Sequence, residues 1–496
     1  MRKTQVYLIG AGAGDPELIT QKACRALQLV DVVLYDYLVH PNIVMMATRA
    51  QKICVGKKKG AHSTQQPNIN ALLVSHAKKG HIVARLKGGD PMIFGRCGEE
   101  MAALFSEGIP YEIIPGITSA ISAPTYAGIP ITHRDCSHSV AFVTATRAND
   151  IETIAFPNAD TLVMMMSLLR LPSIIARLAE VRPLDTPVAI IESGTYASEK
   201  IVTGTLETIV GLQESAQLKP PALIVVGKVV DLRSQCRWRD HLPLRHQRFV
   251  IFRPPHQQSA LVDGLSLWGA EVVTLSLNHI VPAPDCLAPV DLTAITWLVF
   301  TSDNGVRAFF SGLLNKQCDI RSCKNARILA IGPKTKAALM AHGVTPDLMP
   351  EVATSDGVIA TLKQTLSTRD HVLIPTSSEA DDALLDLRTT GATVTKIVGY
   401  ANHAPNDIQV MLDWIKQSDT MIFMNAASVK RLHAHYPKMS EHLAISIGPK
   451  TTAELQRCGV DQVLESKEAS IDGVIDIALA HEWAGTKPNG HDKVGA

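Results

Sequence analysis

Three glycine-bearing turns in the first quarter of the chain could bring bare backbone against a ligand. They are Gly10-Ala11-Gly12-Ala13-Gly14-Asp15-Pro16, Gly88-Gly89-Asp90-Pro91 and Pro115-Gly116-Ile117-Thr118-Ser119. Adjacent glycines place no side chain between main chain and ligand, and Thr118 and Ser119 add hydroxyl groups. The first turn is reminiscent of a nucleotide loop, but the dinucleotide fingerprint GxGxxG needs its third glycine where this chain has Asp15. A carboxylate at that point sits badly against a pyrophosphate, so a nicotinamide cofactor is disfavoured. Each turn alone could be no more than a turn; the three in this order point to a site. Arg96 and Glu99 lie three residues apart, so on a helix start they face one way.

The elements that must position these turns are legible as apolar, β-rich runs. Val6–Ile9, Val32–Tyr35, Ile82–Leu86, Val140–Thr144 and Leu223–Val226 read as strands, separated by amphipathic stretches of helical length. That alternation predicts an α/β architecture with largely parallel sheets. Asp90 then falls at the C-terminal end of a strand, where such sheets bind ligands. Asp15 suits an N-cap, Pro16 a first helical turn, and Glu17 the positive end of the helix dipole.

At 496 residues the chain exceeds what one hydrophobic core ordinarily serves, so at least two domains are expected. The strand grammar breaks at 231–248 (DLRSQCRWRDHLPLRHQR) and restarts at Phe249–Phe252, which places a boundary near residue 243. The second half then repeats itself. IGPKTKAALMAHGV from Ile331 returns as IGPKTTAELQRCGV from Ile447, and DGVI at Asp356 returns at Asp472. GAEV at Gly269 and FTSDNGV at Phe300 are echoed by GATV at Gly391 and FMNAASV at Phe423. Two similar α/β units follow, with a ligand expected in the cleft between them. Thr335 and Thr451, near the two helix starts, either face a polyanion there or simply cap their helices.

The strings VYLIGAGAGDPELIT, VVLYD, RLKGGDPMIFGR, GEE, PGITSAISAPTYAGIPITHRD and PALIVVGKVV resemble the uroporphyrinogen-III C-methyltransferase family over roughly residues 4–235. The resemblance implies a two-domain tetrapyrrole methylase fold that binds S-adenosylmethionine in its cleft. It puts the cofactor contacts on Ala13, Gly88, Gly89, Asp90, Ile93, Thr118, Ser119, Met166 and Gly194. It puts a proton acceptor on Asp36, a proton donor on Lys57, and Arg96 and Glu99 near the tetrapyrrole. A base suits this chemistry, because a pyrrole carbon is a weak nucleophile until its macrocycle loses a proton. No metal is required. This copy departs from the family pattern at several points: Ala13 replaces a proline, Tyr37 an arginine and Cys97 a glycine. Ala145-Thr146 stands where the family has Gly-His. The expectation is that the cofactor is still bound while tetrapyrrole handling is altered.

Beyond Arg253-Pro254, the segments VFTSDNGV, IGPKT, GATV…VGY and DGVI resemble uroporphyrinogen-III synthase over roughly 247–480. That resemblance implies a two-lobed α/β fold with chain segments exchanged between lobes. It points to Thr335, Tyr400 and Thr451 in the cleft, together with Arg253 and Ser302. The second FTS has become Phe423-Met424-Asn425, which removes half of any symmetric arrangement. The expected domains are 1–242 methyltransferase and 243–482 synthase, with a disordered tail at 483–496. The expected function joins cyclisation of hydroxymethylbilane to double methylation of uroporphyrinogen III, giving precorrin-2 for sirohaem or cobalamin. A methyltransferase for another precorrin, or a binding protein that has lost turnover, are the alternatives.

Bulk properties narrow the partners. Lys plus Arg is 48 against 47 for Asp plus Glu, so no overall field draws in nucleic acid. No apolar run approaches the length of a membrane span, and the N-terminus enters a strand directly, without a signal-peptide pattern. Nine cysteines without a CxxC pair read as reduced thiols. His133 and His138, like His433 and His435, read as solvated loop residues rather than metal ligands. A cytoplasmic enzyme is expected, with a possible homodimer through the methyltransferase domain and no nucleic-acid or membrane partner.

Overall fold

The computed structural model describes residues 4–56, 65–145, 156–252, 259–380, 382–405 and 407–483. Lys57, Thr146, Arg253 and all of the expected tail after Trp483 lie outside them. The chain forms two compact units, one of Met1–Leu275 with Gln409–Ala496 and the other of Ser276–Ile408.

The first sheet is wholly parallel. It is built from β1 (Val6–Gly10), β2 (Val32–Tyr35), β3 (Gln51–Cys54), β4 (Val83–Lys87) and β5 (Tyr111–Ile114), in the order β3-β2-β4-β1-β5. β2 and β4 are buried along their whole length, as strands covered on both faces must be. From β1 the chain crosses toward one edge to reach β2; from β4 it crosses toward the other to reach β5. β1 and β4 therefore flank a topological switch point, and the glycine turns follow their C-terminal ends.

The second sheet contains β6 (Val140–Thr144), β7 (Thr161–Met165), β8 (Pro187–Glu192), β9 (Lys200–Thr205) and β10 (Ala222–Val226), in the order β6-β7-β10-β8-β9. Here the expectation of parallel strands fails. Only β6 and β7 run parallel; the other three pairings are antiparallel. Apolar runs report burial, not strand direction, and the seven residues between β8 and β9 are too few for a crossover helix.

The third sheet opens with β11 (Arg248–Phe252) and β12 (Glu271–Leu275). The chain then builds the second unit from β13 (His279–Pro282), β14 (Trp297–Phe300), β15 (Arg327–Ala330), β16 (His371–Ser377) and β17 (Thr393–His403). It returns with β18 (Thr420–Phe423), β19 (Ala444–Ser446) and β20 (Val463–Glu465), which complete the third sheet in the order β12-β11-β18-β19-β20. The sequence repeat is a structural one. Helices Asp303–Asn315 and Ala426–His435 start at Ser302 and Asn425, whose side chains accept the N–H of Gly305 and Ser428. Helices Ser355–Lys363 and Ile471–Ala480 start at Thr354 and Ser470 in the same way. His433 and His435 are not loop residues: they lie exposed in the last turn of their helix, where basic groups suit the dipole.

The basic stretch around residue 243 is packed. Arg239, Arg245 and Arg248 are all buried. Arg239 lies over the Tyr126 ring at 4.5 Å, while Arg248 pairs with Glu271 at 2.6 Å and with Asp419. Asn42, beside the first sheet, accepts the Thr274 N–H at 2.8 Å and donates to the Val272 carbonyl at 2.8 Å. One side chain thereby satisfies the edge of β12 and joins the two halves of the first unit.

Candidate functional site

The glycine turns after β1, β4 and β5 are bonded to one another. Gly12 and Gly89 exchange N–H···O bonds at 3.2 and 2.7 Å. Asp90 spans the gap to the third turn, accepting the N–H of Met92 at 2.8 Å and that of Gly116 at 3.0 Å. Gly10 and Gly116 touch so closely that a Cβ on Gly10 would stand 2.5 Å from the Gly116 nitrogen. At Gly88, by contrast, a Cβ would meet nothing within 4 Å. The cradle is thus tight at its base and open over Gly88, as a surface that receives a ligand against its main chain should be.

The second sheet contributes the far wall. After β8 the chain turns through Ser193-Gly194-Thr195, with Ser193 at φ 49° and Thr195 at φ 77°. A Cβ on Gly194 would meet that of Ala123 at 2.4 Å, on the helix Ser119–Tyr126 that Thr118 caps. The Thr195 hydroxyl donates to the Ala13 carbonyl and accepts the Asp15 N–H at 3.2 Å. Met166, half exposed at φ 56°, follows β7, whose Met165 packs against the cluster containing Ala120 and Ala123. Left-handed conformations at non-glycine residues are costly and collect at functional sites. Ala13, Gly89, Asp90, Thr118 and Gly194 are tied together by these contacts. Open main chain, hydroxyl groups and an exposed thioether can accept a ligand with both polar and flat apolar parts.

Beneath the cradle runs a buried ion network. Arg85 on β4 donates to Asp36 at 2.6 Å and to Glu100 at 2.9 Å, and Lys87 reaches Glu100 at 3.0 Å. Gln66 adds a fifth group, donating to Glu100 at 3.2 Å. Burial opposes the charge on Arg85, but the two carboxylates outweigh it and hold the guanidinium above its ordinary pKa. Cys97, in the turn above Glu100, is pushed up to about 11 by burial and by that carboxylate, so it is a neutral thiol at physiological pH.

Arg96 and Glu99 form a bidentate pair at 2.7 and 2.8 Å, both exposed. Arg96 sits at φ 56°, and its pairing holds the Glu99 carboxyl below the usual range. Ile93 continues the Asp90 turn, its N–H reaching the Asp90 carbonyl at 3.3 Å. Sequence reasoning missed Arg85, Glu100, Thr195 and Glu199 as site-supporting groups. A charge inside the apolar strand VARLK was the available signal, since a charge is buried in a strand only with a partner.

In the second unit Tyr400 donates or accepts a hydrogen bond with Ser302 at 3.2 Å. Thr335 in that unit and Thr451 in the first are both buried, at the third residue of the helices Pro333–Ala341 and Pro449–Arg457. Neither caps its helix: the caps are Gly332 and Gly448. That removes the simpler of the two roles open to these threonines.

Comparison with known proteins agrees with this layout. Residues 5–210 match the tetrapyrrole (corrin/porphyrin) methylases, and residues 259–476 match uroporphyrinogen-III synthase HemD. The porphyrin biosynthesis protein HemD of Ruminiclostridium josui is 31% identical over 493 residues, covering 96% of this chain and 97% of that one. The siroheme synthase of Psychrobacter arcticus is 47% identical over 240 residues, or 47% of this chain and 44% of that protein. Among solved structures, uroporphyrin-III-C-methyltransferase from Thermus thermophilus is 43% identical, covers 48% of this chain and 97% of its own, and has a TM-score of 0.42. The chain belongs to the tetrapyrrole methylases in its first half and to the uroporphyrinogen-III synthases in its second: an S-adenosylmethionine-dependent methyltransferase and a synthase of tetrapyrrole biosynthesis on one polypeptide.

Proposed function

We propose that this chain closes hydroxymethylbilane to uroporphyrinogen III and then methylates that product at two ring carbons, giving precorrin-2. The observation that carries the reading is the coupling of the switch-point cradle to the far wall through Thr195, in a chain whose other half is a synthase. The synthase of such a pair makes what the methyltransferase consumes. The boundary assigned between them is residue 242.

The cofactor supplies an activated methyl group on a sulfonium. The residues present fit it: a Cβ at Gly88 would meet nothing within 4 Å, so main chain there could receive its polar part. Gly89, Asp90, Ile93, Thr118, Ser119, Met166, Ala13 and Gly194 are the other residues that would hold it. This chain's own contribution is orientation, which is worth up to about 7–11 kcal/mol when reacting atoms are held in line.

Asp36 is the assigned proton acceptor. Arg85 fixes its carboxylate at 2.6 Å and keeps one oxygen engaged, so proton removal falls to the other. Arg96 and Glu99 are assigned to the tetrapyrrole side. Their mutual pairing opens when a substrate carboxylate offers Arg96 a stronger partner in a drier site. Lys57 is assigned as proton donor from resemblance alone. Thr335, Tyr400 and Thr451 are assigned to the synthase reaction, where holding the substrate carboxylates matters more than any single acid or base.

The test is anaerobic transfer of labelled methyl from S-adenosylmethionine to enzymatically made uroporphyrinogen III, with products weighed by mass spectrometry. A gain of two methyl groups supports the reading. A product formed only from a different precorrin overturns the substrate assignment.

A further inference from the structure

The turn that closes the far wall is held from outside by the synthase half. Thr195 N–H donates to Glu199 at 3.1 Å, and the other oxygen of Glu199 accepts from Arg245 at 2.8 Å. The Ala197 N–H donates to Glu271 on β12 at 2.9 Å, and the Ala197 carbonyl meets His246 at 3.2 Å. Glu271 is itself fixed by Arg248 at 2.6 Å. Residues 193–199 are thus bracketed on one side by Ala13 and Asp15 of the first glycine turn, and on the other by the connecting segment and the first strand pair of the synthase. The side chains of Arg245, Glu271 and Glu199 are 9%, 6% and 1% exposed, so these bonds are shielded from competing water.

A turn with two non-glycine residues at positive φ keeps that shape only while its surroundings impose it. The inner bracket touches the cofactor wall; the outer bracket belongs to the other enzyme. We propose that Glu271 and Arg245 are positioning residues for methyl-donor binding, so that the synthase half sets the affinity of the methyltransferase for S-adenosylmethionine. The proposal rests on the assignment of Gly194 and Ala13 to the cofactor wall.

Relaxing the outer bracket frees Thr195 to leave Ala13, and the cofactor must then order the turn itself. That cost falls on binding and not on the methyl transfer of a loaded site. Asn42 provides the control, because it docks β12 to the first half without touching residues 193–199.

The experiment measures S-adenosylhomocysteine binding by calorimetry, together with KM and kcat for S-adenosylmethionine, on the full chain and its Glu271→Ala, Glu271→Gln, Arg245→Met and Asn42→Ala variants. Glu271→Ala and Arg245→Met are expected to weaken binding and raise KM roughly tenfold, within the usual range of coupling between sites, with kcat within about twofold. Glu271→Gln keeps an acceptor for Ala197 and recovers most of the loss, and Asn42→Ala stays near wild type. Circular dichroism checks folding, and Arg245→Met decides the matter if Glu271→Ala does not fold. Wild-type affinity in both bracket variants overturns the proposal, as does an equal loss in Asn42→Ala or a loss confined to kcat. No binding by the wild-type protein overturns the cofactor assignment and this proposal with it.

Discussion

Asp36 and Glu100 share one guanidinium: Arg85 reaches the first through Nη2 at 2.6 Å and the second through Nε at 2.9 Å. Asp36 is the partly exposed member and Glu100 the fully buried one, so the network carries a fixed geometry from the core of the first sheet toward its surface. Removing its centre leaves two carboxylates without their shared cation. Glu100 keeps Lys87 and Gln66, and Asp36 keeps access to water, so Arg85→Met is predicted to lower stability by about 1.5–3 kcal/mol, the worth of lost hydrogen bonds to charged groups. Urea denaturation measures this. Whatever protein remains folded is expected to lose methyl transfer with the position of Asp36.

Two glycines of one cradle are predicted to behave differently. A methyl on Gly10 runs into backbone at Gly116 and Gly89, which cannot yield as a side chain can. Gly10→Ala should therefore cost about 1–3 kcal/mol or more, read as a lower urea midpoint. A methyl on Gly88 meets nothing. Gly88→Ala should keep stability to within about 0.5 kcal/mol, yet weaken S-adenosylhomocysteine binding at least several-fold in calorimetry. Wild-type affinity in Gly88→Ala would remove that turn from the cofactor site.

His40 predicts acid sensitivity of a definite sign. It is fully buried, and burial lowers its pKa from 6.5 to about 4, against the pull of Glu271 and with added repulsion from Arg248. The unfolded chain thus binds the proton more readily. The stability this group contributes is complete above pH 6.5 and is lost as pH falls toward 4. Between pH 7.5 and 5 the loss comes to about 2 kcal/mol, at 1.36 kcal/mol per unit of pKa. Asn at position 40 can still cap the helix Pro41–Met45. Urea denaturation of His40→Asn at both pH values should show a smaller difference than wild type by that amount.

Much of this arrangement was legible in the sequence, and the exceptions are instructive. The strand ends and turns around Gly12, Gly89 and Gly116 follow from local apolar runs and turn residues, and the correspondence of FTSDNGV with FMNAASV and of the two DGVI segments follows from the repeat. What could not be read is what depends on distant partners. Arg85 stands out as a charge within an apolar strand, but which group neutralises it is settled only when Glu100, fifteen residues on, folds against it. Arg239, Arg245 and Arg248 look like a polar break between domains, and are buried because Tyr126, Glu199, Glu271 and Asp419 arrive from both sides. The three antiparallel pairings of the second sheet were missed because hydrophobicity carries no strand direction.

The Tyr400–Ser302 bond predicts a separation of stability from synthase activity. Ser302 keeps its helix cap on Gly305 without Tyr400. Tyr400→Phe should cost no more than about 1 kcal/mol, the worth of one partly exposed hydrogen bond. Cyclisation of hydroxymethylbilane, followed by chromatographic separation of the isomers, should slow at least several-fold. An unchanged rate would take Tyr400 out of the synthase site.

The most direct test supplies hydroxymethylbilane and S-adenosylmethionine together to the purified chain, without oxygen, and determines both the isomer and the mass of the product. The account predicts a type III macrocycle carrying two methyl groups, formed with no other enzyme present. Accumulation of unmethylated uroporphyrinogen III, or of the uncatalysed type I isomer, would contradict it.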